Sequence, residues 1–520
     1  MKKIFLFAAL TLSATLMAQK SINWFSAIES NATTNGTTAV GSNNLHSISA
    51  YEDGSVLVAG SFASCQLTPA TASFMNQSFV GAPFTVNQSN SNNNIIVAKI
   101  SKAGEVQWLI HSNRGNGSAL AIATSDGGAL VFATVSHTDE NVQGDNKCLQ
   151  FYNGTDSITC AIHDYKAKLF QYGELVKVAA DGKSATVVGE LLNQDASNDF
   201  TAVNWSGEAG SYYNLLLQVK KEVKFGETTI TPAAGGSLVV LQFNSAGSLV
   251  QHLVTDIPSN ANSAMYYGGT TYVGAMATID GSQSYVLKTY NEGFVNARED
   301  TIKGVKLNNK NQLQLKKVLP APDGKSMYLA GAVNGGLALN GNDTLKNESG
   351  QLRAVVLKVS FSTPDENRVY MHGEGISQFS DLFRYQNNLY AYGYDMSKKD
   401  GNGIYLVRLS DELQPLDTVG LFVTTGTEGT WNAVEADGNI VLAANTAKGK
   451  TLQFTADNTK NVTTSTMSRI LASITLTEPK PTDLETIAPA DTKAVKVIRN
   501  GQVLILRDGK LFNTLGARVE

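Results

Sequence analysis

Cysteine is nearly absent. Three residues in 520, Cys65, Cys148 and Cys160, are too few for a disulfide framework, so size rather than crosslinking must stabilise the chain. Charge is also sparse: 17% of residues are ionic, 41 basic against 45 acidic, for a formal net charge of -4. With no basic field to draw phosphates, nucleic-acid binding is excluded as a function class and anionic membrane surfaces are unattractive. No later run of about 20 apolar residues could span a bilayer. Sustained three- and four-residue apolar spacing with caps is missing as well, which excludes a helical repeat protein. The six histidines, His46, His111, His137, His163, His252 and His372, are scattered, and no HExxH spacing, GxSxG elbow or Walker turn occurs. No catalytic, metal or cofactor residue is therefore assigned, and no cofactor is expected.

What is present begins at Lys2 and Lys3, followed by an apolar run from Ile4 to Leu16. This is the layout of a secretory signal peptide, with a cut after Ala18 giving a segment 1–18. An exported protein is expected, extracellular, on the cell surface or periplasmic. Cys148 and Cys160 flank a Gly/Asn/Asp-rich stretch and could close a small disulfide loop worth about 3 kcal/mol. A bridge and two free thiols stand as equal readings here, and a lone Cys65 reads as a small buried hydrophobe.

One apolar segment recurs: Ile96-Val97-Ala98-Lys99-Ile100, Leu175-Val176-Lys177-Val178, Val240-Leu241-Gln242-Phe243, Val286-Leu287-Lys288-Thr289, Val356-Leu357-Lys358-Val359, Tyr405-Leu406-Val407-Arg408-Leu409 and Leu471-Ala472-Ser473-Ile474. The copies lie about 45 to 80 residues apart. Their β-branched content marks strands, and the long polar residue in most copies is expected where a strand edge reaches solvent. Turn chemistry follows most of them, as at Asp181-Gly182 and Ser245-Ala246-Gly247, then another strand. A second hairpin precedes most copies, about turns such as Asp53-Gly54, Asp126-Gly127, Asp323-Gly324 and Asp437-Gly438. Such Asp-Gly pairs read as hairpin turns rather than calcium loops. Four antiparallel strands at this spacing, with an insertion between the second and third, predict a blade of an all-β propeller.

The two ends fit together. Ser21-Ile22-Asn23-Trp24-Phe25-Ser26 resembles Glu105-Val106-Gln107-Trp108-Leu109-Ile110, the fourth strand of a unit, whereas the last unit stops after its third strand and runs into Pro479 and Pro481. The expectation is seven four-stranded blades closed by the N-terminal strand, which removes the exposed sheet edges. A β-helix is the alternative, although its coils lack paired hairpins.

These residues resemble a family of bacterial secreted propeller repeats written V-x-G-x-F, an insertion with F-G or a similar strand, then F-V-A-K-L-x-x-x-G-x-x-x-W. Val58-Ala59-Gly60-Ser61-Phe62 with Val97-Ala98-Lys99-Ile100, Gly104 and Trp108 make one copy. Phe225-Gly226 with Leu241-Gln242-Phe243 and Gly247 make another, and Tyr328-Leu329-Ala330-Gly331 with Val356-Leu357-Lys358-Val359 a third. The resemblance implies a propeller over 19–478 and no particular activity; it also places Trp24 and Trp108 between packed blades. Propeller glycosidases often carry S-x-D-x-G-x-T-W turns, and the nearest stretch, Ser125-Asp126-Gly127-Gly128, continues without Thr or Trp.

Pro479, Pro481 and Pro489 mark a linker over 479–494. Residues 495–520 read as a small β-meander turning at Asn500-Gly501 and Asp508-Gly509. This tail resembles, in shorter form, the C-terminal tails of Gram-negative secreted proteins that carry type IX sorting signals. Without a linear catalytic motif, the balance at this level is against an enzyme and for an exported, monomeric binding or scaffold module. Its partner would be a glycan or a protein, with the Asn/Ser/Gly-rich insertions 63–94 and 138–172 as contact surfaces. The alternative is an extracellular polysaccharide-acting enzyme whose site is assembled from several blades. Tyr266, Tyr267, Tyr390, Tyr392 and Tyr394 fit either a ligand-binding face or ordinary alternation through a sheet.

Overall fold

A computed structural model of the chain describes residues 19–30, 39–40, 44–65, 71–75, 77–80, 93–112, 117–136, 151–153, 156–158, 171–193, 199–207, 211–257, 261–307, 312–339, 342–360, 363–396, 402–424, 429–446, 449–457, 459–463, 468–477, 495–499, 502–507, 510–513 and 519. Segment 1–18, the linker 479–494 and the Cys148–Cys160 pair lie outside them. The described residues are almost wholly β-strand, with two short 3-10 turns and no α-helix, as an all-β chain requires. No helix among them is long and apolar enough to cross a membrane. Packing separates Lys20–Leu476 from the remainder. In that remainder Val495–Arg499, Gln502–Arg507 and Lys510–Asn513 pair into a three-stranded antiparallel sheet.

Within Lys20–Leu476 the strands fall into seven sets of four. The first set runs Asn44–Ala50, Val56–Cys65, Asn93–Ile100 and Val106–Ser112, each strand paired antiparallel with the next. The innermost strands of the other six are Gly117–Ala123, Phe200–Gly207, Ala261–Tyr267, Gln312–Pro320, Ser377–Tyr385 and Thr430–Ala436. Each inner strand lies against the next in chain order, and Thr430–Ala436 lies against Asn44–Ala50. In the seventh set the fourth place, beside Ser468–Thr477, is taken by Gln19–Ala27 from the opposite end of the chain.

The core is a succession of apolar layers between consecutive sets. Leu57, Val97 and Trp108 of the first set pack with Val131 and Val176 of the second, and Leu130 and Leu175 of the second pack with Leu215 and Leu241 of the third. Val441 and Leu471 of the last set share a layer with Val58 and Ile96 of the first. Tryptophan locks two of these layers. The Trp108 indole donates to Ala180 O at 3.0 Å, over the turn at Gly182, and Trp24 donates to Lys102 O at 3.0 Å, over the turn at Gly104. Both glycines have positive φ, and a Cβ on either would lie within 2.6 Å of the indole, so the turn and the ring fit only because the side chain is missing. At the next layer Val188 stands against Gly247 in the place of the indole.

Described strands within the insertions between second and third strands pair with neighbouring strands. Phe151–Asn153 of the second set pairs with Val106–Ser112 of the first, and Val223–Phe225 of the third with Ala185–Asn193 of the second. Thr451–Phe454 of the seventh pairs with Pro415–Thr424 of the sixth, and Thr71–Phe74 of the first with Glu29–Ser30, just after the N-terminal strand. In the fifth set the second strand, Ser326–Leu339, itself extends to pair with Val295–Val305 of the fourth. Each of these strands buries at least one large apolar side chain, among them Phe74, Phe151, Phe225, Leu339 and Phe454. The described parts of 63–94 and 138–172 include strands that pair with a neighbouring strand, covering edges that would otherwise be free. The recurring third-strand polar residue also differs from expectation. Lys99, Gln242, Lys288 and Lys358 are buried and reach fixed partners, such as Gly127 O for Lys99 at 3.2 Å, and Asp256 and Glu299 for Lys288 at 2.7 and 2.8 Å. They tie turns and strands together rather than reach solvent.

Candidate functional site

An inner strand is the edge strand of its sheet, so half of its backbone N–H and C=O groups have no ladder partner. Small polar side chains on the neighbouring inner strand supply the missing partners. Ser47 and Ser49 hydroxyls accept from Ala121 N and Ala123 N, both at 2.8 Å. The Asn204 amide spans to the next strand, donating to Ala264 O at 2.8 Å and accepting from Ala264 N at 3.2 Å. Asp381, 1% exposed, accepts from Ala433 N at 2.9 Å and Leu382 N at 2.8 Å. Its remaining capacity is met by Lys317 at 3.0 Å.

Six of the seven inner strands carry a register shift near their start, at Leu45/Ser47, Ala202/Asn204, Ala261/Ser263, Leu315/Lys317, Phe379/Asp381 and Thr430/Ala433. A bulge inserts an extra residue and suspends the alternation of side chains. Consecutive residues then face the same space: Lys316 with Lys317, Ser380 with Asp381, and Trp431 with Asn432 all line one cavity of about 540 Å³. A second cavity of about 500 Å³ shares Ile48, Ser49, Asn204, Trp205 and Lys317 with it and continues past Tyr51 and Tyr266. Together they draw lining from all seven inner strands.

Two indoles brace this space. Trp205 donates from Nε1 to Leu120 O at 3.2 Å, and Trp431 from Nε1 to His46 O at 3.1 Å, each reaching the neighbouring inner strand. Trp431 is 40% exposed, unusual for an indole fixed on both an edge and a face. The Arg469 guanidinium lies 3.8 Å from its ring centroid and donates to Asn445 Oδ1 at 2.8 Å and to Leu45 O. Burial pulls the Arg469 pKa down to about 10. Lys316 opens onto the cavity, yet desolvation by the surrounding walls lowers its pKa from the ordinary lysine value.

His46 sits behind Trp431 with Nε2 3.2 Å from Ser61 Oγ. Burial first and the Arg469 charge second lower its pKa to about 4. An unfolded imidazole titrates near 6.5, so between these values the unfolded chain takes up a proton that the folded chain refuses. Stability contributed by neutral His46 is therefore complete above pH 6.5, falls as pH drops toward about 4, and levels off below that. Urea midpoints measured at pH 7 and pH 4.5 should show a smaller acid loss for His46→Gln than for the parent chain.

Sequence reasoning assigned no residue to this site. Of the tyrosines it singled out, Tyr266 and Tyr394 line the cavities. Tyr390 and Tyr392 are buried in the sheet, Tyr392 donating to Ala443 O at 2.9 Å, and Tyr267 is exposed. Asp53, Asp126, Asp181 and Asp323 each accept from a backbone N–H two residues on, at 2.7 to 3.1 Å, and among the described residues no group of three metal-ligating side chains forms. The missed signal was the alternate small polar residues of the first strands, Ser47-Ile48-Ser49 and Asn204-Trp205-Ser206, legible only once those strands are known to be edges.

No protein-family model matches the chain, and no curated protein matches it. Among solved structures it is similar to the polysaccharide lyase Uly1, at 8% identity and a TM-score of 0.43, covering 86% of this chain and 94% of that one. It is similar also to a subtype N11 neuraminidase-like protein, at 9% identity and a TM-score of 0.32, covering 88% and 94%. A subtype N10 neuraminidase-like protein, at 7% identity and 0.30, covers 69% and 92%. Similarity at this level carries no argument about this chain's chemistry. It does correct the expectation that the balance is against an enzyme. A polysaccharide lyase and neuraminidase-like proteins stand among the similar structures, and the expectation against an enzyme is withdrawn.

Proposed function

We propose that this chain is an exported seven-bladed propeller that takes a polysaccharide into the cavity between its inner strands and acts on it at a site assembled from several blades. The seven four-stranded sets, the contact of the last inner strand with the first, and the N-terminal strand in the seventh set support the propeller reading. The N-terminal segment 1–18 supports export. The domain order of this reading is a signal peptide at 1–18, the propeller over 19–478, a linker over 479–494 and a meander at 495–520.

The observation that carries the functional reading is Trp431. An indole held by His46 O on its edge and Arg469 on its face, and still open to a cavity lined by amides, hydroxyls and lysines, is a platform for the apolar face of a sugar ring with hydrogen-bonding groups around it. A rigid aromatic that loses little entropy on contact is also the kind of residue that dominates binding energy. Lys316, whose pKa desolvation lowers, supplies a proton-transfer group within the same space.

The test is binding of the full chain to an array of polysaccharides, with chromatographic analysis of products from each one bound. Trp431→Ala, if its melting temperature is unchanged, should weaken binding by about 30-fold, corresponding to a hot-spot loss of about 2 kcal/mol. New chain ends in the products support action on the glycan. Binding that is indifferent to Trp431 would remove the cavity from consideration.

A further inference from the structure

The geometry points to an anion subsite at Lys316: the polysaccharide held in the cavity carries a carboxylate or sulfate, and this side chain receives it. The inference rests on the reading of the cavity as a glycan site and specifies the class of glycan.

Lys316 and Lys317 are adjacent in a strand, where strict alternation would send one into the sheet-packing layer and the other into the cavity. The register shift between Leu315 and Lys317 places both in the cavity. Two like charges side by side raise each other's cost. Lys317 is compensated by Asp381 at 3.0 Å, a carboxylate that also accepts from two backbone N–H groups. Lys316 has no carboxylate partner among the described residues, and the only carboxylate lining the larger cavity is Asp381. Lys316 is exposed, so it presents a solvated cation on the cavity lining that an entering anion can reach.

Its surroundings suit a sugar-borne anion. Gln378, Asn432 and Asn445 line the same cavity and carry amide N–H groups that can donate to hydroxyls on the ring that bears the anion, while the Tyr394 hydroxyl already donates to Gln378 Oε1 at 3.1 Å. Trp431 lies in the same lining, so one sugar residue could stack on the indole while its neighbour's acid group meets the lysine.

The test compares ligands that differ only in charge. The full chain is titrated with polygalacturonate and with its fully methyl-esterified form, and separately with dextran sulfate and plain dextran. Lys316→Met and Lys316→Arg are measured alongside the parent. The acid form of at least one pair should bind about 10-fold more tightly than its neutral counterpart, with a preference that shrinks as salt is raised. Lys316→Met should bring the pair within about two-fold by removing the charged partner, while Lys316→Arg keeps the preference. The pair that shows it identifies carboxylate or sulfate as the anion. Neutral polymers bound as well as acidic ones, with Trp431→Ala still weakening them, would overturn the anion subsite and leave the glycan reading intact. A preference that survives in Lys316→Met would place the anion elsewhere and overturn the assignment. Failure to bind any glycan would overturn both.

Discussion

Gly331→Ala is expected to destabilise the chain by about 3 kcal/mol or more, because no local adjustment can absorb the added methyl group. Gly331 lies in the second strand of the fifth set, opposite Leu315. A Cβ there would fall 1.9 Å from Gln314 O and 2.6 Å from Leu315 Cα. The neighbour is backbone, so the inner strand itself must move. Gly60 and Gly393 occupy the same place in the first and sixth sets, with a Cβ 1.9 Å from Asn44 O and 2.3 Å from Gln378 O. Each faces the residue just before a register shift. In these three sets the glycine leaves room for the neighbouring inner strand at its bulge, whereas the third set has Leu217 at the corresponding place. Because the bulge at Lys316 aims both lysines into the cavity, Gly331→Ala should also weaken any ligand held there. Melting temperature and glycan affinity should fall together. Gly403→Ala, whose Cβ meets nothing within 4 Å, should leave both unchanged.

Removing the Asp381 carboxylate is expected to cost a further large amount, about 3 to 5 kcal/mol in Asp381→Ala, the range for breaking a buried ion pair from one side. The carboxylate is fully enclosed and holds three donors: Leu382 N, Ala433 N and Lys317. Its loss leaves a backbone N–H of the adjacent inner strand unpaired and frees a second lysine charge beside Lys316. Asp381→Asn keeps an acceptor for one N–H and should lose less. Thermal denaturation of the two variants against the parent measures the difference. The ordering Ala worse than Asn distinguishes loss of the hydrogen bonds from loss of charge alone, and comparable stability of Asp381→Ala and the parent would show that the inner strands do not depend on this bridge.

Local chemistry made much of the architecture legible. Alternation in Val97-Ala98-Lys99-Ile100 and its copies, and Asp-Gly or Ala-Gly at the turns, depend on residues within a few positions of each other, so the four-strand unit and its repetition can be read directly from the chain. The likeness of Asn23-Trp24 to Gln107-Trp108 also marked the N-terminal strand as a fourth strand, since an indole over a glycine turn is a pairing between successive units. The destination of Lys99, Lys288 and Lys358 could not be read in this way. A lysine on a strand is most economically placed in solvent, and only the turn of a neighbouring set supplies the carbonyls and carboxylates that make its burial tolerable.

The candidate site was illegible for a related reason. Its residues lie between Ser47 and Asn445, nearly 400 positions apart, and no spacing rule connects them. Even the facing direction of Lys316 is undetermined locally, because it depends on a bulge permitted by Gly331 on another strand. Sequence by itself determined an all-β chain with recurring hairpins, little charge and no metal-binding or nucleophile motif, because composition and short-range periodicity carry that information. Tertiary structure alone decided that described strands of the insertions pair with neighbouring edges, that the inner strands borrow hydrogen bonds from one another, and that an indole, two lysines and a buried carboxylate share one cavity. Those outcomes follow from the need to satisfy edge-strand backbone groups and exclude water between sheets, which is resolved only when distant strands meet.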